Sequence, residues 1–165
     1  MFSDQESLEL AKVFNPPFIL NSSLIAKTLR ESIVKQKKKI LLFEGGKANN
    51  IEENVVEEGL NGLKRVITHL GMRNYKMDIS KDRQPIFVGE NKWMRAPSSG
   101  MFQCFVANGT AVQKGEILAL VTDPYGKYEK KIKASQAGFV ICINEAAVVY
   151  KGDAIIHLAK EKPQS

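Results

Sequence analysis

Apolar and polar positions follow two different rhythms along this chain: helical spacing broken by one unbroken apolar run, then short β-type runs punctuated by glycine. At the start, Ser3-Asp4-Gln5-Glu6 has the Ser-x-x-Glu form of a capping box, in which serine and glutamate satisfy each other's orphan amides. A short helix to about Phe14 follows, and Asn15-Pro16-Pro17 ends it, because proline lacks an amide hydrogen and restricts the residue before it. Phe18-Ile19-Leu20 then reads as a strand. Asn21, Ser22 and Ser23 offer an N-cap, and Ile25, Leu29 and Ile33 recur every fourth residue, an apolar stripe on a helix running to about Gln36. Ile40 to Phe43, entered from a lysine run and left through Gly45-Gly46, reads as a short, fully buried strand of parallel-sheet type. Strand, helix and strand in that order imply a right-handed parallel crossover. Asn50-Ile51-Glu52-Glu53 caps a third helix, on which Ile51, Val55, Leu60, Leu63, Val66, Ile67 and Leu70 keep a helical period until Gly71 ends it as a left-handed C-cap.

Two strands and three helices do not close a doubly wound sheet, and a buried strand such as 40–43 needs neighbours on both sides. Either the missing strands come from elsewhere or this part is poorly ordered. Arg73 to about Gln84 is polar and mixed, a linker or a peripheral strand. Beyond it, Ile86 to Val88, Met101 to Val106, Glu116 to Thr122, Lys131 to Ala134, Phe139 to Asn144 and Ala154 to Ala159 predict a small barrel or sandwich. An internal repeat sharpens this. Ala96-Pro97-Ser98-Ser99-Gly100-Met101 recurs 38 residues later as Ala134-Ser135-Gln136-Ala137-Gly138-Phe139, and Lys114-Gly115-Glu116 recurs 37 residues later as Lys151-Gly152-Asp153. Two such halves are expected to interlock about a pseudo-twofold axis, each Lys-Gly-Glu/Asp forming a turn.

Composition narrows the partners. With 24 basic and 18 acidic side chains in 165 residues the net charge is +6, but the excess is spread along the chain, without the basic stripe that phosphate binding favours. Lys35, Lys37, Lys38 and Lys39 do cluster, at a predicted helix end whose dipole favours cations. Nucleic acid is therefore not an expected partner. No apolar run approaches the ~20 residues that span a bilayer, and the acidic amino terminus is unlike a secretory signal. Cys104 and Cys142, without CxxC spacing, read as reduced, packed thiols. These features predict a cytoplasmic protein.

Candidate chemistry centres on Glu44, the first polar group where the 40–43 strand exits. Ligands of open α/β sheets bind outside the carboxyl ends of strands, where a catalytic acid or base is expected. Position alone leaves a second reading open, a carboxylate that caps the following turn or pairs with a lysine.

The stretch from Met94-Arg95-Ala96-Pro97 through Lys151-Gly152-Asp153 resembles the barrel-sandwich fold of biotinyl and lipoyl carrier domains. Carriers are modified on a lysine of the hairpin between the halves. Here that hairpin, Asp123-Pro124-Tyr125-Gly126-Lys127-Tyr128, holds Lys127 without the flanking methionine or acidic residues, so a solvated turn lysine is expected. Nearly the whole chain resembles the carboxyl-terminal portion of the succinylglutamate desuccinylase/aspartoacylase family. The resemblance rests on Thr28-Leu29-Arg30, Ile40-Leu41-Leu42-Phe43-Glu44-Gly45-Gly46, Gly59-Leu60-Asn61-Gly62-Leu63 and Leu70-Gly71-Met72. It implies an α+β chain. Residues 1–75 form a partial α/β carboxypeptidase-like segment of helix–strand–helix–strand–helix, 76–93 a linker or peripheral strands, and 94–162 an all-β barrel-sandwich hybrid domain.

The resemblance also implies a zinc-dependent deacylase acting on the amide of an N-acyl amino acid. Glu44 matches the family's general base, and Arg30 matches a recurrent arginine suited to a substrate carboxylate. A helix-surface arginine bonded to a neighbouring acid is the alternative for Arg30. The family's zinc ligands, a His-x-x-Glu pair and a later histidine, lie upstream of the matching segment; here only His69 and His157 occur, neither in that pattern. The expectation is thus no zinc and no hydrolysis from this chain alone, and a need for an upstream zinc-binding half or for self-association. The other expectation is a non-catalytic module for binding or oligomerisation.

Overall fold

The structure, a computed structural model, describes residues 5–76 and 83–162. Ser3 and Asp4 of the expected capping box lie outside the described residues. The chain divides into two compact units, Met1–Phe87 and Val88–Ser165.

In the first unit, α1 (Gln5–Phe14) buries Ser7, Leu10 and Ala11, and leaves through Asn15, whose φ of 56° is a left-handed conformation asparagine tolerates. β1 (Phe18–Leu20) buries Ile19, which joins Ala11 in a small core with Leu8, Leu41 and Phe87 packed against it. The Ile86 amide donates to the Pro17 carbonyl at 2.9 Å, so the first residue of β2 (Ile86–Arg95) lies beside the approach to β1.

Two expectations for this unit are corrected. The second helix, α2 (Leu29–Lys35), starts well after Ser22 and Ser23, because Thr28 is its N-cap: the Thr28 hydroxyl accepts from the Glu31 amide at 3.3 Å. Glu31 in turn accepts from the Lys27 amide at 2.8 Å. Thr28-x-x-Glu31 is itself a capping-box sequence and outcompetes the serines upstream. Ile25 and Leu29, two of the three residues of the expected apolar stripe, are exposed. The second correction is Ile40–Phe43, which runs through the first unit without strand pairing among the described residues. Leu42 and Phe43 are exposed, and no parallel crossover forms among the described residues. β1 pairs with β2 rather than with this segment.

α3 (Glu53–His69) forms as expected, except that its N-cap Glu52 makes no side-chain cap bond. Its end is a Schellman motif: the Gly71 amide donates to Thr68 and the Met72 amide to Ile67, with Gly71 at a φ of 69° that side chains resist.

The second unit follows the repeat. Its further strands are β3 (Gly100–Cys104), β4 (Ala111–Val112), β5 (Ile117–Thr122), β6 (Glu129–Lys133), β7 (Gly138–Ile143), β8 (Val148–Val149) and β9 (Ala154–Glu161). They form two antiparallel layers, β2-β9-β7-β4 and β6-β5-β3-β8. The halves exchange their shortest strands: Gly100 pairs with Val149 where Gly138 pairs with Val112. Arg95 likewise pairs with Ala154 where Lys133 pairs with Ile117. Gly100 and Gly138 sit where a side chain would strike the Thr122 and Ala159 carbonyl oxygens, so this register requires glycine at both. Between the layers lies a closed core that includes Val112, Leu118, Val121, Val140, Val149, Ile155, Ile156 and Leu158. The two-residue strands β4 and β8 carry too little pattern to be expected from sequence.

Candidate active site

Glu44 ends the extended segment of the first unit, and its neighbours rather than its own contacts place it. The Phe43 ring lies 5.2 Å from that of Phe14, tilted by 38°. Both rings rest on glycines of α3. A Cβ on Gly59 would come within 3.0 Å of the Phe43 ring, and one on Gly62 would overlap the Phe14 ring. On the other side of Glu44, a Cβ on Gly45 would lie 2.7 Å from Val55 Cγ1. Phe43 and Gly45 are therefore both held against α3, while the Glu44 carboxylate between them is exposed. Gly59-x-x-Gly62 is the residue pattern that admits this approach, and small residues at helical spacing are the signal that reveals it.

Among the described residues no hydrogen bond or ion pair of Glu44 is formed, which leaves its oxygens open to a proton-donating ligand. Neither the turn cap nor the lysine pair that position alone allowed is present among the described residues. Arg30, on α2, is half-buried and committed in part: it donates to the Ser22 carbonyl at 2.8 Å and to Ser22 Oγ at 3.3 Å. Its partner is a loop serine and not the neighbouring acid. A guanidinium has five N–H groups, so these bonds leave donors for a carboxylate. Nothing bonds Arg30 to Glu44 among the described residues.

The floor beneath Phe14 is polar. Arg65 Nε donates to the Phe14 carbonyl at 3.0 Å, Arg83 donates to the Asn15 carbonyl at 3.0 Å, and both arginines pair with Glu58. Two cations thus satisfy the carbonyls that α1 leaves open at its C-terminus, and one carboxylate balances them. Burial pulls the Arg65 guanidinium below its usual range, partly offset by Glu58. No local pattern marks this triad, because its arginines meet carbonyls 51 and 68 residues away in the chain.

A catalytic zinc needs about three protein ligands. His69 is the exposed last residue of α3. His157 belongs to the second unit, its Nε2 2.9 Å from Asn91 Oδ1 and its ring stacked on Trp93 at 4.6 Å. Among the described residues no three His, Cys, Asp or Glu side chains gather as a metal would require. The donor set present does not fit zinc.

No protein-family profile and no curated protein matches the sequence. Solved structures do. The product-bound ectoine utilization protein EutE (DoeB) of Ruegeria pomeroyi matches with a TM-score of 0.84 at 19% identity, over 97% of this chain and 51% of that one. A succinylglutamate desuccinylase/aspartoacylase of Rhodobacter sphaeroides matches at 0.79 and 15%, over 97% and 50%. An aspartoacylase family protein of Mesorhizobium loti matches at 0.75 and 16%, over 96% and 48%. This chain has the succinylglutamate desuccinylase/aspartoacylase fold. It spans about half the length of each of these structures, which agrees with the resemblance to one portion of the family chain. No helix among the described residues is long and apolar enough to cross a membrane.

Proposed function

We propose that this chain is the carboxyl-terminal portion of a cytoplasmic deacylase that hydrolyses the amide bond of an N-acyl amino acid or a related amide, with Glu44 as general base. The observation that carries this reading is an exposed carboxylate whose chain neighbours Phe43 and Gly45 both lie against α3, in a chain with the succinylglutamate desuccinylase/aspartoacylase fold. Glu44 takes a proton from the attacking water as its oxygen bonds to the amide carbon, and returns it to the amine as the C–N bond breaks. Arg30 fixes the substrate carboxylate with the N–H groups that Ser22 does not use. The zinc such a deacylase implies is held by ligands outside these residues, so the chain alone is expected to bind none and to hydrolyse nothing.

The test is zinc content and turnover of N-succinylglutamate and N-acetylaspartate, first by the chain alone and then after co-expression with the polypeptide encoded immediately upstream. Activity confined to the mixture, and reduced by about 10²–10⁴-fold in Glu44→Gln, supports the reading. Stoichiometric zinc and turnover in the isolated chain contradict it.

A second reading is favoured by the second unit, which closes a core of its own and presents Tyr125 and Lys127 on the β5–β6 hairpin. It is a non-catalytic barrel-sandwich module for binding or oligomerisation. Absence of activity in every mixture, with an oligomer held by residues 88–162, favours it. An intact, unmodified mass removes its carrier version at Lys127.

A further inference from the structure

In the second unit, β6 ends the layer β6-β5-β3-β8, with β5 as its one neighbour among the described residues. An edge strand presents amides and carbonyls to any strand that can reach it, and a very short edge blunts that hazard. β4 and β8, which end layers elsewhere, are two residues long, whereas β6 runs for five and leaves every residue but Ile132 exposed. The edge is set in place by the turn that leads into it. Asp123 Oδ1 accepts from the Tyr128 amide at 3.0 Å, and the Tyr128 hydroxyl donates to the Ser99 carbonyl, which ties the β5–β6 hairpin to the approach to β3. A strand that docks there therefore meets an ordered ladder and does not have to order one.

Charge says which strand fits. Residues 127–133 hold four lysines and one carboxylate, Glu129, which lies 3.9 Å from Lys131. Lys127 sits over the Tyr125 ring at 5.5 Å, and Lys130 and Lys133 form no ion pair among the described residues. Lys131 and Lys133 are exposed on either side of Ile132, which turns into the core. A second copy of β6 would set lysine against lysine across the new ladder, which is destabilising. Lipid headgroups and nucleic acids neutralise lysines, but they do not supply the alternating donors and acceptors that a strand edge takes. An extended acidic polypeptide supplies both. We infer that β6 is a docking edge for an extended segment of another protein, which adds a strand with carboxylates opposite Lys131 and Lys133 and an apolar residue opposite Ile132. This deepens the reading of the second unit as one that binds a partner, and rests on it.

The probe is the peptide Val-Thr-Glu-Val-Glu-Thr-Val, acetylated and amidated, whose pattern reads alike in both directions and so suits a parallel or an antiparallel ladder. Titrated into the full chain at low salt, it is expected to shift the amide resonances of 129–133 and to slow their exchange at least about tenfold, an effect that added salt weakens. Lys131→Glu with Lys133→Glu should lose at least about tenfold in affinity and gain affinity for Val-Thr-Lys-Val-Lys-Thr-Val. That gain, with an unchanged thermal transition, shows that the variant is folded. Equal binding of the same residues in blocks, Glu-Glu-Val-Val-Val-Thr-Thr, leaves only unpatterned attraction and overturns the inference. So does the absence of any shift in β6 at millimolar peptide, or tighter binding of phosphatidylserine vesicles or duplex DNA that the same variant loses. An oligomer held by residues 88–162 with no peptide on β6 keeps the second unit as an oligomerisation module and sinks this edge alone. Peptide binding at β6 in a mixture that also turns over substrate keeps the edge and sinks the non-catalytic reading.

Discussion

Glu44, Gly62 and His157 show three ways in which one residue takes its meaning from its surroundings. Glu44 was legible as the polar exit of an apolar run, but its exposure follows from Phe43 and Gly45 being drawn onto α3. Gly62 lies under the Phe14 ring, so Gly62→Ala forces overlap costing about 1–3 kcal/mol, against about 1 kcal/mol gained in helix propensity. A net loss measured by denaturant unfolding is expected, and an unchanged or raised midpoint would contradict this packing. Burial pushes the His157 ring below its ordinary value near 6.5. The folded state therefore prefers the neutral ring, and the unfolded chain takes up a proton first as pH falls. Stability is fully present above the ordinary value, declines as pH drops through it, and stops declining below the depressed folded value. The melting temperature of the second unit should fall over that window, and His157→Gln should flatten the profile.

At the scale of elements, caps decided boundaries that periodicity left open. Ile25, Leu29 and Ile33 kept helical spacing across a stretch where the chain turns instead, Lys27 adopting a φ of 64° just before the Thr28 cap. Spacing sees side chains; it does not see which hydroxyl reaches an orphan amide. Thr28→Ala should cost about 1 kcal/mol and reduce helicity over 29–35 by chemical shift, whereas Ser23→Ala should change neither. The Glu31 carboxyl is held below its usual range by Lys35 and by the Lys27 amide. Its contribution is present above the unfolded value and lost as pH falls through the lowered folded one, so α2 should fray first in acid. Glu58 belongs to the same scale, joining α1 to α3 through two arginines. Glu58→Ala leaves two half-buried cations unbalanced and should loosen α1, an effect of about 1–3 kcal/mol.

Over the whole molecule, the two units differ in how completely each buries its own apolar residues. Native-state hydrogen exchange should therefore be slowest in β5, β7 and β9 and fastest over 38–50, with unfolding that is not two-state. A single cooperative transition with uniform protection would contradict that division. The repeat from Ala96 to Asp153 was readable because each half carries its own turns, glycines and alternation, so the pairing partners lie within the sequence that predicts them. Local chemistry determined α1, α3 with its Gly71 end, the longer β strands, and Glu44 as the residue to watch. Tertiary structure alone decided three other things: that Ile40–Phe43 forms no strand among the described residues, that Gly59 and Gly62 brace the candidate base, and that Arg65 and Arg83 cap α1. Each depends on groups distant in sequence, and a strand or a cap is settled only by the groups that arrive to satisfy its hydrogen bonds.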